Sequence, residues 1–300
     1  RHIVQRLLND GYALRLAVRS AARKPALPAR AENVSVGDIS PETDWSKALQ
    51  GCTTVVHLAA LTPGRHTEDQ LVSVNDRGTA RLIHQAHEIG VQRFVLMSSI
   101  FALVDNSAEE VVDDRFAPLA TSAYGRSKQA AEKHVAGFAR AGRVGIALRP
   151  PLVCGPDAGG NWKLLLRLAA SGLPLPFGLI ENRRSLVGVE TLADAVSAVI
   201  SGPMETGLSG NYAVAEDGVA SLRQLIVWLR RGMSKPARLV PVPPKLLEAG
   251  LNAAGRTTVA RSLFGNLEVD ARRFQVTFSW RPPMSLQDVI ERSGKEFVCG

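Results

Sequence analysis

Cysteine is scarce in this chain of 300 residues, and Cys52, Cys154 and Cys299 stand far apart. Such spacing makes neither a metal-ligand pair nor a disulfide framework, which points to a reducing compartment. Long apolar runs are missing too. No stretch approaches the ~18 consecutive apolar residues that a membrane-spanning helix needs, and no secretory signal opens the sequence. The expected location is therefore the cytoplasm, with no membrane span. Aromatic residues are only 5% of the chain. Charge is one-sided, with 36 Lys+Arg against 28 Asp+Glu and a net charge of +8, but the basic residues are scattered. A nucleic-acid footprint would gather them into a stripe interleaved with aromatic rings, so no nucleic-acid partner is expected. A scattered excess of positive charge suits a small anionic ligand instead. Apolar content of 45% with mixed charge indicates a globular protein, long enough for one large domain or a domain with a smaller lobe.

Strands and helices alternate through the first half. Residues 2–8 read as an amphipathic helix ended by Asn9-Asp10-Gly11, and residues 12–18 as a strand closing on Arg19-Ser20. A second strand is expected over 33–36, ending at Gly37-Asp38-Ile39, then a short helix over 45–49. Residues 53–58 form a near-continuous apolar strand, of the kind that a parallel sheet buries on both faces. A long helix spans 69–89, and the strand 93–97 delivers Ser98-Ser99 at its end. A helix from Tyr124 to Arg140 precedes another buried strand, 144–148. This βαβα order predicts an α/β fold, a doubly wound parallel sheet with ligands at the carboxyl ends of its strands. Arg19, Asp38, His57 and Ser99 all fall at predicted strand ends. From Gly155 the glycine, proline and asparagine content rises and a smaller lobe is expected. The predicted division is a dinucleotide-binding domain over 1–154 and a mainly substrate-binding lobe over 155–300, with 186–215 returning to the main sheet. Residues 221–231 and 240–263 are expected to be helical.

Within this frame Tyr124 and Lys128 are four apart, which puts both on one helical face, one turn apart. A phenol beside an ammonium can move a proton, because a neighbouring positive charge favours the phenolate. With three tyrosines and eight lysines in the chain, chance produces such a pair often enough that its position, after a strand presenting Ser99, is what carries the reading.

The motifs resemble the extended short-chain dehydrogenase/reductases, in particular the nucleotide-sugar epimerase/dehydratase branch, over nearly the whole chain. Gly37-Asp38-Ile39 resembles the strand-end aspartate segment that contacts adenine, and His57-Leu58-Ala59-Ala60 the segment beside the cofactor. Asn75-Asp76-Arg77-Gly78-Thr79 resembles the family's N-x-x-G-T signature. Ser99, Tyr124 and Lys128 are similar to its catalytic triad, and 149–156 to the R-P-x-x-x-x-G-P segment that opens the substrate lobe. The resemblance implies a Rossmann domain that binds NAD or NADP through Arg19, Asp38, Ile39, Leu58, Ala59, Ala60, Asn75, Tyr124 and Lys128. Arg19 stands where NAD-preferring relatives have an acidic residue, which favours the 2′-phosphate of NADP. It also implies that Tyr124 is the acid/base, that Lys128 holds the nicotinamide ribose and lowers the pKa of Tyr124, and that Ser99 rather than Ser98 orients the substrate oxygen. The family's G-x-x-G-x-x-G turn and the strand before it are absent from the sequence, which has no initiator methionine and is expected to start after that turn.

For the substrate, a nucleotide-diphosphate sugar, the resemblance implies Asn161 and Arg184 at the diphosphate, Phe177 beside the base, and Arg261 as a second cation; guanidinium offers phosphate a planar fork of donors. The implied reaction is 4-epimerisation of a UDP-hexose through a 4-keto intermediate. The alternatives are an NADP-dependent reductase of a nucleotide 4-keto sugar and a non-catalytic dinucleotide-sensing module. A homodimer through the Tyr124 helix is expected. No metal site is expected: His84 and His87 share a helix without a third ligand, His57 reads as a packed strand-end residue, and Cys154 as a small core residue.

Overall fold

The computed structural model describes residues 1–20, 31–64 and 66–299. α1 (His2–Asn9) leads into β1 (Leu14–Val18), followed by β2 (Ala31–Ser35), α2 (Ser46–Leu49), β3 (Thr54–His57) and α3 (Glu68–Leu71). The chain continues through a π-helical turn, Val72–Arg77, into α4 (Gly78–Ile89), then β4 (Arg93–Met97), α5 (Ala123–Phe138) and β5 (Val144–Arg149). Next come β6 (Leu152–Cys154), α6 (Gly160–Ala170), β7 (Leu186–Gly188), α7 (Val189–Ser201) and β8 (Gly210–Ala213). The C-terminal part holds α8 (Leu222–Gly232), α9 (Pro244–Ala253), α10 (Thr257–Phe264), α11 (Arg272–Thr277) and α12 (Leu286–Cys299). No helix among the described residues is long and apolar enough to cross a membrane.

The main sheet is parallel, in the order β3-β4-β5-β8. Alternation along its strands builds a core on each face. On β4, Phe94 and Leu96 meet Leu82, Ile83, Ala131 and Val135 of α4 and α5. Val95 of β4 and Val144, Ile146 and Leu148 of β5 face the other way, onto Leu192, Ala195 and Val196 of α7. The helices on both faces are what make this a Rossmann-type, doubly wound sheet. β1 and β2 pair in parallel as a separate ladder. Among the described residues β1 pairs only with β2 and β3 only with β4, so Leu16, Val18, Val55 and Val56 stay half-buried. The expected sheet is thus present as two ladders.

Three further expectations are corrected. Residues 186–215 do not return to the main sheet as a block. β8 does, whereas β7 pairs with β6. The cause lies in Pro150 and Pro151, which lack amide donors and cannot extend the β5 ladder. The helix expected over 69–89 is not one α-helix, because Val72–Arg77 widens into a π turn. The helical stretch over 240–263 is two helices, parted where Gly255 N donates to Asn252 O at 3.0 Å and Arg256 N to Leu251 O at 2.8 Å. The smaller lobe has its own core, in which Trp162, Leu165 and Leu166 of α6 pack with Leu225, Ile226 and Leu229 of α8 and Ile290 of α12.

Candidate active site

The strand ends and the smaller lobe enclose a cavity of about 1730 Å³, and Ser99, Tyr124 and Lys128 all line it. Ser99 closes β4 in an extended conformation, and its hydroxyl accepts a hydrogen bond from Phe101 N at 3.2 Å, starting the short turn Ile100–Ala102. Ser122 caps α5 by accepting from Gly125 N at 3.1 Å, and Asp105 in turn accepts from Ser122 N at 3.1 Å. Gly125 lets the start of α5 press against the turn after Ser99: a Cβ there would lie 2.3 Å from Phe101 O. That contact sets the start of α5 against the turn that follows Ser99, on the side of the cavity where both side chains lie.

Burial raises the Tyr124 phenol above its ordinary value, and the Ser99 hydrogen bond opposes the rise. Lys128 lies one turn beyond Tyr124 on α5 and is buried. Its Nζ donates to Met97 O at 2.8 Å and sits 6.0 Å from the Tyr124 ring centroid. Burial pushes Lys128 down to about 8, opposed by the charge of Glu132.

Glu132 was not singled out in the sequence. It lies one turn beyond Lys128 on the same face of α5 and is buried. Ser98 Oγ donates to its Oε1 at 2.5 Å, and Arg149 donates to both oxygens, at 2.9 and 2.7 Å. Both serines line the cavity, but the Ser98 hydroxyl is donated to Glu132. Arg149 also leans on Asp114 O at 3.5 Å. The Asp114 carboxyl accepts from Ala213 N at 2.6 Å through Oδ1, while its buried Oδ2 has no hydrogen-bond partner and faces Arg273 Nη1 at 3.8 Å. Burial pushes Asp114 up to about 6. The available signal for Glu132 was its i,i+4 spacing from Lys128; a glutamate on an amphipathic helix otherwise reads as solvated.

The signature of residues 75–79 ties the crevice together. Asn75 is buried; its Oδ1 accepts from Leu61 N at 2.7 Å and its Nδ2 donates to Leu61 O at 3.0 Å and Ser127 Oγ at 3.1 Å. It therefore pins the segment after β3 to α5 and does not line the cavity. Gly78 allows close packing, since a Cβ would meet Ile39 Cγ2 at 2.5 Å. Thr79 Oγ1 is 3.2 Å from His57 Nε2, and burial followed by the Lys128 charge pushes that histidine down to about 3. The π turn sits where these contacts are made, as such turns often do beside functional sites.

Of the residues expected at a dinucleotide, Leu58, Ala60, Tyr124 and Lys128 line the cavity; Arg19, Asp38, Ile39, Ala59 and Asn75 do not. Arg19 and Asp38 pair with each other through Nε and Oδ1, both well exposed. The donors present nonetheless fit a nicotinamide dinucleotide. Arg1 and His2 at the start of α1 line the cavity, and no side chain caps the first-turn amides of that helix, an arrangement suited to a phosphate. The buried ammonium of Lys128 suits a ribose diol. Among the described residues no group of three His, Cys, Asp or Glu could hold a metal, and His84 pairs with Glu88 at 3.4 Å. Cys154 is buried, and burial raises its thiol.

Of the substrate residues, Asn161, Arg184 and Arg261 line the cavity. Arg184 Nη1 donates to Gly265 O at 3.0 Å and Asn106 O at 3.3 Å, and burial pushes its pKa down to about 10, still a cation at neutral pH. Neither Arg184 nor Arg261 has a carboxylate partner among the described residues. Phe177 is not brought to the cavity. Leu175 N donates to Arg238 O at 3.0 Å and Gly178 N to Val240 O at 3.0 Å, and the half-buried Phe177 packs against the lobe core.

Comparison with known proteins follows the same lines. Residues 1–215 match the model of the NAD dependent epimerase/dehydratase family. The chain is 31% identical to a UDP-glucose 4-epimerase of Vibrio cholerae, over 97% of this chain and 89% of that protein. It is 28% identical to a ceramide reductase of Caulobacter vibrioides, over 88% of this chain and 78% of that protein. Among solved structures, a UDP-glucuronic acid 4-epimerase from Bacillus cereus in complex with NAD superposes with a TM-score of 0.77 at 19% identity, covering 99% and 94% of the two chains.

Proposed function

Since the chain belongs to the NAD-dependent epimerase/dehydratase family, we propose that it interconverts the C4 epimers of a nucleotide-linked hexose, a UDP-hexose, through a 4-keto intermediate. The observation that carries this reading is one cavity with Ser99, Tyr124 and Lys128 in its lining and two uncompensated cations, Arg184 and Arg261, in the same lining. The cations take the diphosphate, with Asn161 beside them, and that fixes how far the hexose reaches toward Tyr124. Ser99 donates to the sugar O4 and orients it. Tyr124 removes the O4 proton as the C4 carbonyl forms and returns it when the alcohol is restored. Bound nicotinamide dinucleotide supplies hydride uptake from C4 and its return to the opposite face. Lys128 holds the ribose, and its charge nears the tyrosine only through that contact. NAD fits better than NADP, because Asp38 already neutralises Arg19, the cation that a 2′-phosphate would use. The association state that accompanies this reading is a homodimer through α5.

A reductase of a keto sugar is the second reading. Burial keeps Tyr124 protonated, which suits donation to a ketone, and the likeness to a ceramide reductase points the same way. Turnover separates the two. Conversion of UDP-galactose to UDP-glucose with no net change in nicotinamide absorbance supports the epimerase. Stoichiometric NADPH consumption with a 4-keto sugar, and no epimerisation, overturns it.

A further inference from the structure

The cavity wall contributed by the smaller lobe carries a run of aliphatic side chains beside its polar groups Asp157, Asn161 and Ser262. Leu164, Leu165 and Leu168 of α6, Leu225 of α8, and Val259 and Leu263 of α10 all line it. Two of them are left in water, Leu164 at 52% exposure and Val259 at 41%. Beside this wall stand Arg184 and Arg261. The described lining from residue 150 onward contains no aromatic ring, and Phe177 packs against the lobe core. A nucleoside would leave this wall without the stacking partner that a base prefers, and would set a polar ring and a ribose against leucine side chains. An extended hydrocarbon chain would cover the exposed Leu164 and Val259 and lie against the other leucines, while the two arginines would still hold a diphosphate. α9, packed beside α10, buries none of its ten residues and leaves Leu246 at 65% exposure.

We propose that the same site epimerises a hexose diphosphate esterified to a long hydrocarbon alcohol, with the lipid chain lying along α6, α8 and α10 where a nucleoside would otherwise sit. The proposal rests on the epimerase reading above. Its chemistry is a net isomerisation that needs no external reductant. The C4–H bond breaks and re-forms on the other face, and the O4 proton passes to Tyr124 and returns to O4. No atom or electron is gained or lost. The diphosphate ester is not cleaved.

The test compares two substrates with the NAD-loaded protein: UDP-galactose, and galactose diphosphate esterified to geranylgeraniol in detergent micelles. Both Leu164→Gln and Val259→Gln are made, at positions exposed enough to fold unchanged. The expected result is turnover of the isoprenoid substrate with kcat/KM at least equal to that for UDP-galactose. The ratio of the two values should fall tenfold or more in either variant. Turnover of UDP-galactose alone overturns this inference and leaves the epimerase reading standing. Turnover of the isoprenoid substrate with a ratio unmoved by both variants also overturns it, because the apolar wall is then not what recognises the chain. Turnover of neither substrate overturns this inference and the epimerase reading together.

Discussion

Tyr124 and Asp114 show how far a single side chain's environment departs from its type. Tyr124→Phe removes the proton carrier and keeps the ring that meets Phe101 edge-on at 6.4 Å between centroids. Turnover should fall by about 10²–10⁴-fold, the range for a positioned acid/base, with thermal stability nearly unchanged. An unchanged rate in steady-state assays would return the protein to the class of non-catalytic dinucleotide sensors. Asp114 offers a test in stability. Its carboxyl titrates at about 6 in the fold against 3.8 for the free group, because burial penalises the charge. The folded pKa is the higher one. Its contribution is therefore full below 3.8 and lost as pH rises through about 6. Asp114→Asn keeps an oxygen for the Ala213 amide. Relative to the native chain it should gain on the order of 2 kcal/mol between pH 4 and pH 7, read from urea melts at the two values. Tyr124, Lys128 and Ser99 were legible in the sequence because helical spacing and strand-end position are local properties. Glu132 and Phe177 were not, because their partners Arg149 and residues 238–240 come from other elements.

At the scale of elements, α5 is where geometry and chemistry meet. Its inward stripe runs Tyr124, Lys128, Glu132 and Val135, so one face carries the proposed acid/base, a buried ammonium with its counter-charge, and the core contact. Glu132→Gln should lower the Lys128 pKa below about 8, since the charge that opposes its burial is gone. The alkaline limb of the pH–rate profile should therefore move to lower pH. The same change leaves Arg149 buried without an anion, a loss of about 3–5 kcal/mol where such pairs are broken, measurable by denaturant melts. Gly125→Ala tests placement rather than chemistry. The added methyl must push α5 away from Phe101 O, separating Tyr124 from Ser99. The expected result is a loss of kcat of ~10²-fold, the scale associated with a displacement of about 1 Å, with far-UV circular dichroism preserved. The π turn at Val72–Arg77 was invisible in the sequence, because its residues follow the apolar pattern of an ordinary helix and its cause is the set of contacts to Leu61, Ser127, Ile39 and His57.

For the whole molecule, ligand linkage and association are the measurable consequences. NAD at 100 times its Kd should stabilise the folded state by about 2.7 kcal/mol, seen as a rise in melting temperature. NADP at the same concentration should raise it less, because Arg19 is already paired with Asp38; a larger rise with NADP would overturn the preference for NAD. Light scattering should give twice the chain mass of 32.2 kDa if α5 pairs with its copy.

The sequence alone determined the alternation of strands and helices, the shared helical face of Tyr124 and Lys128 and the strand end that presents Ser99, because these depend on periodicity and short spacings. It also showed the scattered positive charge without indicating which cations would lack partners. Tertiary structure decided the rest. Among the described residues it left Arg184 and Arg261 without carboxylates, paired Arg19 with Asp38, set Lys128 against Met97 O, and left Phe177 out of the cavity lining. Each of those outcomes depends on groups far apart in the chain being brought within a few ångströms, which no local pattern encodes.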